Sequence, residues 1–180
     1  MDSDWEDLVQ VIRTAANGAA NALVGNGEHF YYFSLITSGE AHSPIVSAWS
    51  WEALDRATAS APDPEKAKAE LKWSYADSPY MGFGENDFFR PVVAAFSKRP
   101  PMQYDWPKET WQKEYDFRLS AMEEALRRVD AGGAFGTGLK RDQIAVLVEV
   151  MPPDSTNADR ARRLNGPSAI AAWLEEAAED

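Results

Sequence analysis

Apolar and polar residues follow each other along this chain with two distinct periods, and the places where one period yields to the other mark the elements. After Trp5, the apolar positions Leu8, Val9, Ile12, Ala16, Ala19 and Leu23 recur at helical spacing and predict a long amphipathic helix. Ser3-Asp4-Trp5-Glu6 has the form of a capping box at its start, and Gly25-Asn26-Gly27 stops it. Asn17-Gly18 is a weak point inside it, where a break is possible. The period then shortens to two. Residues 29–37 are dense in aromatic and branched side chains, with Phe30, Tyr32 and Ile36 on one face and Tyr31, Phe33 and Leu35 on the other. Both faces are apolar, which predicts an inner strand covered on both sides. Ser38-Gly39-Glu40 turns the chain, and residues 44–49 predict the returning strand of a hairpin. Pro44 suits its beginning, where a missing N–H is tolerated.

Beyond the hairpin, helical spacing returns. Ser50 is placed to cap a short helix through Ala53, Leu54 and Ala57, and Pro64-Glu65 opens another toward Leu71. Residues 72–86 keep no steady period and predict an ordered aromatic loop with room for a short strand. A helix is expected over residues 87–96, and Asp105 with Pro107 opens the longest one. Its stripe is Trp111, Tyr115, Leu119, Met122, Leu126 and Val129, and Gly132-Gly133 ends it. Residues 143–151 form the clearest strand, Ile144, Val146, Val148 and Val150 alternating with Ala145, Leu147 and Glu149. Two short helices follow, over residues 157–164 and 168–179. Three strands are few for a sheet in a chain of this size, so a fourth is expected near residues 71–76 or 139–142. The order predicts a single α+β domain over residues 1–180, a small, mainly antiparallel sheet of about three to five strands packed with several helices.

Composition changes this picture mainly by exclusion. There is no cysteine, which removes disulfides, thiolate metal sites and cysteine nucleophiles together and suits a reducing compartment. The N-terminus lacks the basic start and apolar run of a signal peptide, so the expected location is cytoplasmic, with no membrane association. The two histidines, His29 and His42, have no carboxylate at metal-ligand spacing, and no GxSxG elbow presents a serine. No cofactor, metal or catalytic residue is therefore implied. Glu123-Glu124 and Glu175-Glu176 are neighbours pointing apart on helices, poor material for an acid–base pair. Eighteen Lys and Arg against twenty-nine Asp and Glu leave a net charge of −11. That field repels nucleic acid and favours encounter with a basic protein partner, although solubility alone also explains it.

Two stretches hold candidate binding residues. Trp73, Tyr75, Tyr80, Phe83 and Trp106 fall in a segment broken by Pro and Gly, where large rings can anchor a protein interface or line a pocket. The plainer reading is that they fill irregular gaps in the core. Phe135, Gly136, Gly138 and Arg141 form a glycine-containing connection ending in cations, which resembles an anion nest. It joins a helix to a strand, the reverse of a phosphate loop, so a helix stop and tight turn explain it better. A third use of exposed aromatics would be a homodimer.

Phe30-Tyr31-Tyr32-Phe33-Ser34-Leu35, Leu71-Lys72-Trp73-Ser74-Tyr75, and Gly133-Ala134-Phe135-Gly136 followed by the strand from Ile144 to Val150 stand in this order along nearly the whole chain. Together these three segments resemble a mainly bacterial family, the domain-of-unknown-function family 4303. The family tends to carry an acidic residue and a second Trp soon after the first, whereas Asp77-Ser78-Pro79-Tyr80 stands here. The resemblance implies a compact α+β domain and transfers no catalytic residue. By analogy with other small acidic domains, an immunity-type or accessory protein is expected, with a pocketed ligand-binding or enzymatic domain as the alternative.

Overall fold

The computed structural model describes residues 3–179, and its centre is the strand β1 (Phe30–Ser38). β1 pairs antiparallel with β2 (Ile45–Ser50) and parallel with β3 (Ala145–Met151), giving the order β2-β1-β3 in a mixed sheet. The sheet is small and the remainder is largely helical, so the α+β class holds. Val46, Ala48, Phe33, Leu35, Val146, Val148 and Val150 point to one face, where α1 (Ser3–Val24), α4 (Arg90–Phe96) and α5 (Lys108–Ala131) bury them. The opposite face carries Tyr32, Trp49, Ala145 and Leu147 beneath α2 (Trp51–Thr58), α6 (Ser155–Leu164) and α7 (Pro167–Glu176). α3 (Pro64–Leu71) lies outside, with no buried residue.

The predicted parity of β1 fails at its first residues because the pairing slips between Phe30 and Tyr32. An extra residue at that bulge sends Phe30 to the α1 side, while Tyr31 and Tyr32 both join the other core. α1 runs unbroken through Asn17-Gly18, and the glycine has a packing reason. A Cβ at Gly18 would stand 2.7 Å from the Phe88 ring, and one at Gly84, where φ is +72°, would stand 2.5 Å from the same ring. Phe88 is thus held between two glycines. Glu6, expected to fold back on its own helix start, instead pairs with Arg128 of α5.

The expected fourth strand is absent among the described residues: residues 139–142 form part of a 3-10 turn (Gly138–Gln143), and α3 ends at Leu71 with residues 72–76 following in turns and bends. Side chains and loops seal both sheet edges in its place. Along β3, the Asn157 amide exchanges hydrogen bonds with Val150 (2.8 and 3.0 Å) and the Asn165 amide with Val146 (3.0 and 2.7 Å). Arg160 donates to the Val148 carbonyl between them at 3.1 Å. With most of its outward groups answered, β3 does not offer the bare edge that a further strand would cover.

Candidate functional site

The aromatic loop after α3 folds along the outer edge of β2. Gly82 N–H donates to the Val46 carbonyl at 2.8 Å and the Ser78 hydroxyl to the Ala48 carbonyl. From the sheet, Ser47 donates to the Tyr75 carbonyl (2.9 Å), Trp49 Nε1 to Ser74 (2.7 Å) and the Tyr31 hydroxyl to Lys72 (2.7 Å). These bonds tie an irregular segment to the sheet.

Where the loop leaves α3, it completes an aromatic group at the N-terminal end of the parallel pair. Trp51 stacks on Tyr31 with ring centroids 4.1 Å apart, and Trp73 meets Tyr31 edge-on at 5.4 Å. Lys72 Nζ lies 5.0 Å from the Trp73 ring centroid and 5.7 Å from that of Trp51, within cation–π range of both. The same ammonium pairs with Glu176 at 2.9 Å, and Trp73 Nε1 donates to that carboxylate at 2.8 Å. The Lys72 and Trp73 hydrogen bonds hold Glu176 below the usual carboxylate range, whereas burial and then the Glu176 charge push the Tyr31 hydroxyl up. Beside the group opens a shallow cleft of about 440 Å³, bordered by His29, Asp142 and Ser168. Trp51 remains 48% exposed there.

Of the candidate residues, only Trp73 belongs to this group. Tyr75, Tyr80 and Phe83 are half-buried, packed against the cores. The Tyr80 ring tilts against Phe30 at 5.3 Å and Phe83 at 6.0 Å, and its hydroxyl donates to Glu28 at 2.7 Å. Burial opposes ionisation of Glu28, but hydrogen bonds from Ser50, Tyr80 and Arg56 override it and hold the carboxyl low. Trp106 stands apart, its indole donating to Gln103 at 3.0 Å. In the glycine-containing connection, Phe135 is buried against Phe33, Gly136 and Gly138 take φ of +84° and +55°, and Arg141 clamps Asp130, the Ile144 and Leu164 carbonyls and Asn165. With Arg141 committed to the fold, that connection works as a turn and a tie. Trp51 is the residue that periodicity overlooks. It follows Ser50, whose hydroxyl caps α2 through Ala53 N–H at 3.0 Å, and the change from strand to helix swings Trp51 outward although Trp49 is buried.

Among the described residues no group of His, Asp and Glu could hold a metal ion, and no helix is long and apolar enough to cross a membrane. His29 is engaged with Glu52: Nδ1 lies 2.5 Å from one carboxylate oxygen and its N–H donates to the other at 2.9 Å. The His29 side chain and backbone N–H bring Glu52 down to about 2. The other histidine, His42, has its Nδ1 2.8 Å from the Ser38 hydroxyl in the hairpin turn.

The fold and this surface define a small α+β domain with a pinned aromatic face. The chain belongs to the family described as domain of unknown function (DUF4303), whose model matches residues 10–166. No curated protein and no solved structure matches it significantly.

Proposed function

We propose that this chain is a protein-binding domain of the immunity or accessory type, and that the Tyr31–Trp51–Trp73 group is its contact face. Trp51 carries the reading: a large indole, 48% exposed, is held in one orientation by stacking on a buried tyrosine. Indoles dominate interface energetics, and a ring already fixed loses little freedom on binding. The net charge of −11 favours a basic partner, with association that slows as salt rises. Nucleic acid and anionic membrane are disfavoured by the same field.

A pocketed enzyme is the weaker reading, because Arg141 serves as a clamp and Glu149 lies inside the core, 5% exposed, instead of converging on a cleft. In a test, the chain immobilised and exposed to a lysate of its native host captures one basic protein in stoichiometric amount. Trp51→Ala weakens that capture at least about tenfold, the scale expected for losing an interface indole, without lowering the melting temperature appreciably. Full capture by Trp51→Ala overturns the assignment of this face.

A further inference from the structure

At the opposite, C-terminal end of β1 and β3 lies a larger cleft, about 820 Å³, between α5 and α6. Its floor contains Arg160, only 3% exposed. Nε of that guanidinium donates to the Val148 carbonyl at 3.1 Å and Nη2 to Asn157. Nη1 has no acceptor among the described residues, and no carboxylate lies within ion-pair range of any of the three nitrogens. A buried guanidinium stays charged, and such a charge ordinarily has a counterion. The neighbouring Tyr115, close enough for the two groups to influence each other's ionisation, also has no hydrogen-bond partner for its hydroxyl among the described residues. Two unanswered polar groups therefore line the same cleft, which is the arrangement of a binding site.

The walls say more about the occupant. Trp111 stacks on Tyr115 at 4.9 Å and 20°, presenting an aromatic face. On the rim, Asp116 is bonded to Gln112 and Asp154 to Thr156; neither has a cation within ion-pair range among the described residues, although the Asp154 charge reaches Arg160. Arg163, also on the rim, is neutralised by Glu123 at 2.8 Å. A phosphate dianion would meet these carboxylates and be repelled. A ligand with one carboxylate at its inner end and a positive charge at its outer end would satisfy every unpaired group at once.

We propose that the α5–α6 cleft binds a basic amino-acid residue with a free carboxylate, the carboxylate on Arg160 and Tyr115 and the cation over Trp111 near Asp116 and Asp154. Free lysine or arginine and the C-terminal residue of a basic protein share this chemistry. The site is independent of the aromatic face at the other end of the sheet, so either proposal can fail alone.

Tryptophan fluorescence and amide chemical shifts of the intact chain, titrated with three probes, provide the test. L-lysine and Nα-acetyl-L-lysine should shift residues lining this cleft saturably, whereas Nα-acetyl-L-lysinamide, which lacks the carboxylate, should bind at least about tenfold more weakly, the scale of one lost charge-assisted hydrogen bond. Tighter binding of the acetylated acid identifies a chain terminus as the source, and tighter binding of L-lysine a free amino acid. Arg160→Met should abolish binding. Tyr115→Phe, which removes one half-buried hydroxyl and leaves the fold intact, should weaken it several-fold. Equal binding of acid and amide, unchanged affinity in Tyr115→Phe, or no saturable shift with any probe overturns the proposal.

Discussion

Two arginines in this protein are buried to the same 3% exposure and are solvated by the protein in opposite ways. Arg118 of α5 gives Nε to Glu114 at 2.8 Å, Nη1 to the Ala41 carbonyl at 3.4 Å and Nη2 to the Pro100 carbonyl at 2.6 Å, and it lies over the Phe96 ring. Glu114 accepts from Arg99 as well, at 3.0 Å. Burial alone would raise Glu114, but the Arg99 and Arg118 hydrogen bonds prevail and keep its carboxyl low and charged. This network ties α5 to the hairpin turn, where Ala41 is held at φ 49°, and to the segment after α4. Arg160 has one carbonyl, one amide and no carboxylate. Glu149, a core acid that feels the Arg160 charge, is pushed the other way: burial raises it, and the Tyr32 and Ser34 hydrogen bonds and the Arg160 charge offset only part of that. Equal burial thus carries two meanings. A buried charge whose three nitrogens are all answered from within is a tie in the fold, and one left open toward a cleft is a place where a ligand can complete it.

The strongest test of that contrast is to truncate both. Arg118→Met leaves Glu114 buried with half its partners and frees the turn around Ala41, and it is expected to cost about 3–5 kcal/mol. Arg160→Met is expected to cost about 1 kcal/mol, because the lost bond to Val148 is offset by no longer burying an unpaired charge. Urea unfolding of the two variants gives the comparison directly. Similar losses would mean that Arg160 is as structural as Arg118, and the cleft would lose its claim to a ligand.

Little of this contrast is visible in the chain itself. Arg160 stands in the run Asp159-Arg160-Ala161-Arg162-Arg163, which has the look of a solvated helix face. Only the docking of α6 against β3 turns it inward. The long helices, the hairpin and the last strand follow from local periodicity, and those features were legible. The bulge at Phe30 and Tyr32, the parallel pairing of β3 and the missing fourth strand depend on contacts between distant segments, about which periodicity is silent. The candidate rings split for the same reason. Their clustering in sequence showed that the loop would be ordered, yet its path along β2 decides that Tyr80 and Phe83 face the core while Trp73 reaches a surface cleft. Trp51 was hidden by its neighbour Trp49, since a strand pattern continued by two residues would bury both or neither.

A second, smaller effect sharpens the role of the α6 side chains around Arg160. Asn157 both seals Val150 at the edge of β3 and accepts from Arg160. Asn157→Ala leaves the N–H and carbonyl of Val150 without partners and is expected to cost about 2 kcal/mol. Hydrogen exchange is the more selective readout, because the Val150 amide should lose protection while amides in the hairpin keep theirs. Uniform loss of protection across the sheet would show that the edge bonds are part of global stability and do not form a local seal.

The smallest expected effect concerns the acid on the Arg160 side. Glu149 is 5% exposed, and the Tyr32 hydroxyl is its hydrogen-bond donor at 2.5 Å. Because burial raises its pKa in the folded state, the protonated form favours folding. That contribution is complete below the unfolded value of about 4.3 and is lost as pH rises through the folded value. Wild type should therefore lose stability relative to Glu149→Gln between acid and neutral pH. The amide keeps an acceptor for Tyr32 and carries no charge to desolvate, so at pH 7 the variant is expected to be more stable by on the order of 1 kcal/mol. Chemical denaturation of both proteins across this range measures the gap. A gap that stays flat with pH would show that Glu149 keeps its ordinary ionisation. In that case Arg160 would already have its counterion through the core, and an external carboxylate would have less to complete.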